Sequence, residues 1–138
     1  MPPMAPVLIA GPDDLAEAAA SLLEQAGWTW TTVDSGAACL DALNQQRPSA
    51  LVLDVGLTGP TVVELIARVR KNERLGDLPI LLVTSVYRPS AYRREPQSLY
   101  GADGFVEHPH LRDQLLDRLQ SLTGSPDSPD QDGGRGED

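Results

Sequence analysis

Short aliphatic runs alternate with stretches of helical period along most of this chain. "VLIA" (7–10) is a continuous apolar run, which suits a strand buried on both faces. From Leu15 the apolar positions are Leu15, Ala18, Ala19, Leu22, Leu23 and Ala26, which share one side of a helix. Gly27 follows as its C-cap. "WTWTTV" (28–33) is aromatic and β-branched and reads as a strand. "DSG" then opens a second helix carrying Ala38, Cys39, Ala42 and Leu43. "SALVLD" (49–54) is an aliphatic run that ends in an acid. After the loop "GLTGP", Thr61 can cap a third helix with Val62, Leu65, Ile66 and Val69 on one side. The basic run "RVRKNER" lies at its exit, where cations suit the negative end of the helix dipole. "LPILLVT" (78–84) and "GFV" (104–106) are two further strands. "HLRDQLLDRLQSL" (110–122) is an amphipathic helix with Leu111, Leu115, Leu119 and Leu122 in line.

The alternation predicts an α/β fold, a parallel sheet with helices on both faces. In doubly wound sheets ligands bind beyond the carboxyl ends of the strands. The residues to inspect are therefore Ala10 and Gly11, Asp54, Thr84, and His108 with Pro109. Between Thr84 and Gly101 the pattern breaks down. Pro89 and Pro96 interrupt it, and an interior proline costs a helix about 3 kcal/mol, so a short or displaced fourth helix is expected. The same stretch holds Tyr87, Arg88, Tyr92, Arg93 and Arg94, the densest aromatic-basic cluster in the chain. It reads either as a solvated loop or as a partner surface, since Tyr and Arg anchor interfaces.

Charge and composition narrow the choice of function. Residues 1–123 carry ten basic and fifteen acidic side chains, and residues 124–138 carry one and five. An acidic body argues against general nucleic-acid binding, which relies on basic neutralisation of phosphates. The stretch from Gly124 has no aliphatic or aromatic residue and is expected to be a disordered acidic tail to a 1–123 domain. Neither a signal peptide nor a membrane-spanning run is evident, so a soluble cytoplasmic protein with no membrane partner is expected. The single cysteine, Cys39, falls on an apolar helical face and reads as a core thiol.

Three segments carry a resemblance. "SALVLDVGLTG" matches the segment of response-regulator receiver domains that holds the phospho-accepting aspartate. "PILLVTS" is similar to their fourth strand with its switch hydroxyl, and "GADGFVEHP" to the segment with an aromatic switch residue and a Lys-Pro pair. The resemblance spans residues 5–123 and implies the flavodoxin-like receiver fold, with five parallel strands in the order 2-1-3-4-5. It implies Asp54 as phospho-acceptor, Gly56 as a carbonyl neighbour, Thr84 and Phe105 as switch residues, and Pro109 at the family's proline. His108 stands where the family has lysine, and a neutral imidazole replaces a permanent cation poorly. Each residue also has a plainer reading. Asp54 can cap its loop, Thr84 can be an ordinary strand residue, and Phe105 can be core.

Receivers hold Mg²⁺ with the acceptor and an acidic pair after the first strand. Without gaps, that pair is replaced by Ala10 and Gly11. Asp13 and Asp14 lie three residues on. Moving them into the pair would shorten the first helix by three residues and turn its apolar face by about 60°. They are better read as a helix start, with Asp14 and Glu17 resembling a capping box. No metal site is therefore expected, and Mg²⁺ only if Asp54 is a working acceptor. The expected function is that of a stand-alone atypical receiver, or pseudo-receiver, in two-component-type signalling. It would act by protein–protein interaction with weak or absent Mg²⁺-dependent phosphorylation. The alternative is a response regulator that accepts a phosphoryl group on Asp54 from a histidine kinase. The expected partner is a signalling protein or histidine kinase, or a second copy through the face of the fourth helix, fifth strand and fifth helix. Enzymatic activity is not expected. "DVGLT" superficially resembles the D-x-D-x-T of haloacid-dehalogenase-like phosphatases, but its second acid is Gly56.

Overall fold

The computed structural model describes residues 5–57, 59–84, 101–107 and 110–123, with Thr84 described by its backbone alone. Five strands form one parallel sheet: β1 (Val7–Ala10), β2 (Trp30–Val33), β3 (Leu51–Asp54), β4 (Ile80–Thr84) and β5 (Gly104–Glu107). Their order is β2-β1-β3-β4-β5, as the resemblance implies. The described helices are α1 (Asp13–Gln25), α2 (Gly36–Gln45), α3 (Val62–Lys71) and a last helix, Leu111–Thr123. The expected fourth helix falls within residues 85–100 and lies outside the described residues, as does the expected tail, 124–138.

The aliphatic runs become central strands because alternate side chains can be buried on both faces. Every residue of β1 and β3 is buried. Leu8, Leu51, Leu53, Ile80 and Leu82 pack with Cys39 and Leu43 of α2 and Leu65, Ile66 and Val69 of α3. Val7, Ile9, Val52, Leu81 and Val83 point the other way. They pack with Leu15, Ala19 and Leu23 of α1 and with Leu111, Leu115 and Leu119 of the last helix. Cys39 is wholly buried, as its helical position predicts, and burial pushes its thiol up to about 12.

β2 is shorter than the run 28–33 predicts. Trp28 is spent on the turn and the core: its N–H donates to the Leu23 carbonyl, and its ring is buried beside α1. Gly27 precedes it with φ +84°, the left-handed conformation that ends α1. Pairing with β1 begins only where the Val7 N–H reaches the Thr29 carbonyl.

The helix starts are partly as expected. The Ser35 hydroxyl accepts from the Ala38 N–H and caps α2. Thr61 and Glu64 close a reciprocal capping box on α3. At α1 the expectation is corrected. Pro12, in extended conformation, occupies the N-cap, and no side chain caps the helix. Asp13 and Asp14 are already inside the first turn, so Asp14 cannot bond across to Glu17 as a cap. Proline is favoured beside a helix start because its missing N–H is not needed there. The two acids contribute through the helix dipole alone.

Candidate functional site

Asp54 is the last residue of β3, at the carboxyl edge of the sheet, and its side chain leaves toward α1. It is 3% exposed, the only buried charged residue among those described. The chain holds it firmly at the backbone. The Val55 N–H donates to the Val83 carbonyl, and the Leu57 N–H donates back to the Asp54 carbonyl. Its Oδ2 accepts from the Gly56 N–H at 3.0 Å. Its Oδ1 is buried and has no hydrogen-bond partner among the described residues. Burying a carboxylate with one oxygen unsatisfied is costly, so this is a reactive or a destabilising position.

The β1–α1 turn forms the neighbouring wall. Ala10 and Gly11 are both buried, and the Gly11 N–H extends the ladder by donating to the Val33 carbonyl. Gly11 is packed so closely that a Cβ there would sit 2.9 Å from Asp54 Cβ and 2.7 Å from Leu15 Cδ2. Asp13 and Asp14, by contrast, are exposed.

The other candidates are placed in varying detail. Gly56 meets Asp54 through its N–H, a contact separate from the carbonyl role that the resemblance implies. Phe105 lies on β5, half-buried, and packs against the cluster on the α2–α3 side. Thr84 ends β4 in register with Glu107. His108, Pro109, Tyr87, Arg88, Tyr92, Arg93 and Arg94 lie outside the described residues.

The residues around Asp54 do not fit a divalent ion. Such a cation takes six or more oxygen ligands, with carboxylates supplying the charge. Here the acidic pair is a methyl group and a hydrogen, and the point where a second carboxylate would begin is closed by Leu15 and Asp54 itself. Among the described residues no three His, Cys, Asp or Glu side chains converge.

A second polar centre is absent from any reading of the sequence. Arg70, at the end of α3, donates from Nε to the Gly101 carbonyl and from one terminal nitrogen to the carbonyls of Gly76 and Leu78. Its other terminal nitrogen pairs with Asp103 Oδ2 at 3.0 Å, and that oxygen also accepts from the Ile80 N–H. Arg70 thus ties α3 to the entrances of β4 and β5. Nothing near it in sequence signals this, because its Gly101 and Asp103 partners are 31 and 33 residues away.

Residues 7–120 match the family model described as the response regulator receiver domain. The chain belongs to that family. It is 32% identical over 120 residues to TcrX of Mycobacterium tuberculosis, covering 85% of this chain and 50% of that protein. It is 30% identical over 103 residues to the chemotaxis protein CheY of Pseudomonas aeruginosa, covering 74% of this chain and 82% of CheY. The chain therefore spans half the length of TcrX and most of CheY. Among solved structures it resembles the chemotaxis response regulator CheY4 of Vibrio cholerae, with TM-score 0.73 and 25% identity, covering 86% of this chain and 98% of that one. Receiver domains belong to two-component signalling, where they interact with histidine kinases and other signalling proteins. Among the described residues, no helix of this receiver is long and apolar enough to cross a membrane.

Proposed function

We propose that this receiver works chiefly as a protein-interaction module, with Asp54 a weak or silent phosphoryl acceptor, and that residues 1–123 are the working unit. The observation that carries this reading is the pairing of a buried, under-satisfied Asp54 with Ala10 and Gly11 in place of the acidic pair. Phosphoryl transfer depends on positioning and on neutralising charge. An acceptor with no metal cage has lost most of the neutralisation. His108, in place of a lysine, supplies no permanent cation in its neutral form. Thr84 and Phe105 would then be strand and core residues more than switches. The partner is a signalling protein or histidine kinase, met through the surface that includes Tyr87, Arg88, Tyr92, Arg93 and Arg94, or a second copy through the same region. The acidic net charge of −9 speaks against nucleic acid. The module is proposed to be non-enzymatic, as receiver domains typically are.

One observation favours the alternative. The free Oδ1 of Asp54 is a nucleophilic oxygen at the strand end where the family keeps its acceptor. In that reading Oδ1 forms the O–P bond as the P–N bond of a donor phosphohistidine breaks. The imidazole leaves with the electron pair and takes its proton from water.

Amide NMR separates the two. Titration with Mg²⁺ to millimolar levels, then with beryllofluoride, is expected to leave residues around Asp54, Thr84 and Phe105 unshifted. Saturable shifts at those three positions would establish the acceptor instead.

A further inference from the structure

The missing acids explain a weak metal site, but they leave open whether anything can reach Asp54 at all. A phosphoryl donor must approach in line with the attacking oxygen. Asp54 is 3% exposed even though the residues after β1 are small. Part of its cover is local. Gly11, with no side chain, brings the β1–α1 turn against the Cβ of Asp54, and Leu15, one turn into α1, is wholly buried with its Cδ2 beside the same glycine. Gly11, Leu15 and Asp54 crowd a single point: a Cβ on the glycine would stand 2.7 Å from one neighbour and 2.9 Å from the other.

We propose that Gly11 and Leu15 form a steric seal over Asp54, so that access to its carboxylate, and not ligand loss alone, limits its chemistry. The seal rests on reading Asp54 as a weak acceptor and adds a second cause for the weakness. It also changes what repair requires. Writing an acid at position 11 cannot rebuild the metal site, because its Cβ has nowhere to go while Leu15 and Asp54 stay put. Repair needs a smaller residue at 15 and a shift of the β1–α1 turn away from the Asp54 Cβ as well.

Access can be read without metal or phosphate. A water-soluble carbodiimide with an amine nucleophile activates a carboxylate and couples it as an amide, and mass spectrometry of the digested chain gives the rate at each acid. Exposed Asp13 and Asp14 serve as positive controls in the same molecule. Cys39 reports global opening, since it is wholly buried on the other face of the sheet. In the wild-type chain Asp54 should couple at least about tenfold more slowly than Asp13, because reaction requires local opening. Leu15→Ala should raise the Asp54 rate about tenfold while Cys39 stays protected from a thiol reagent. If that variant unfolds and exposes Cys39, Leu15→Val takes its place with a smaller rise in the same direction. A wild-type Asp54 as reactive as Asp13 overturns the seal. So does an unchanged Asp54 rate in a folded position-15 variant.

Phosphate uptake from a small phosphodonor with Mg²⁺ is measured on the same samples and keeps the two ideas apart. An unlabelled Asp54 in the folded variant, with no uptake, removes the seal and leaves the weak acceptor standing. Ready uptake by the wild-type chain removes the weak acceptor, and the labelling ratio still decides the seal.

Discussion

Two polar centres sit at opposite ends of the same sheet, and they are built on opposite principles. Arg70, near the amino ends of β4 and β5, is satisfied. Its guanidinium meets three backbone carbonyls and a carboxylate, and that carboxylate also holds the first N–H of β4. Asp54, at the carboxyl end of β3, is more deeply buried and has one hydrogen bond among the described residues. A filled network in a partly buried site stabilises and fixes a geometry. A buried charge with an empty lone pair does the reverse. The difference separates a residue kept for the fold from one that the fold tolerates at a cost. It supports treating the Asp54 edge, and not the larger Arg70 network, as the site with a functional history.

The comparison can be broken most sharply at Arg70. Replacing it by methionine strands the carbonyls of Gly76 and Leu78 and leaves Asp103 unpaired. The expected loss is about 2–4 kcal/mol in urea unfolding, with the side chain's partial exposure already discounted. A loss under 0.5 kcal/mol would make the network ornamental. Next comes Gly11→Ala. The added methyl meets Leu15 and Asp54 inside van der Waals contact, and overpacking of this kind costs about 1–3 kcal/mol. A neutral result would mean that the turn is looser than its contacts indicate. The smallest effect belongs to the exposed acids. Asp13→Asn with Asp14→Asn should cost about 0.3–1 kcal/mol each through the helix dipole, less at high salt, and should leave any metal affinity unchanged. A large drop in Mg²⁺ affinity in that double variant would move the acidic pair to 13 and 14 after all.

How much of this could be read from the sequence depends on the range of the interaction. The strands and helices were legible because burial on both faces of β1 and β3, and on one face of α1 and α3, writes a period of its own. The cap at Thr61 was legible because its partner is three residues away. The start of α1 was misjudged by the same local logic. Asp14 and Glu17 have the spacing of a capping box, but Pro12 had already taken the N-cap. At the candidate site, the two small residues at the end of β1, Ala10 and Gly11, were legible by counting alone. The crowding of Gly11, Leu15 and Asp54 was not, because β1 and β3 meet at a register that no local pattern encodes. Arg70 was legible only as a cation near a helix end, and its long-range partners gave no signal.

The most direct test of a carboxylate buried without its companions is the stability of Asp54→Asn, measured with and without millimolar Mg²⁺. The amide keeps an acceptor for the Gly56 N–H and removes the uncompensated charge. The variant should be more stable than wild type by about 1–3 kcal/mol, and Mg²⁺ should change neither. A wild-type chain that gains about 2.7 kcal/mol in Mg²⁺, the linkage expected at a hundredfold excess over Kd, with Asp54→Asn gaining nothing, would contradict it outright.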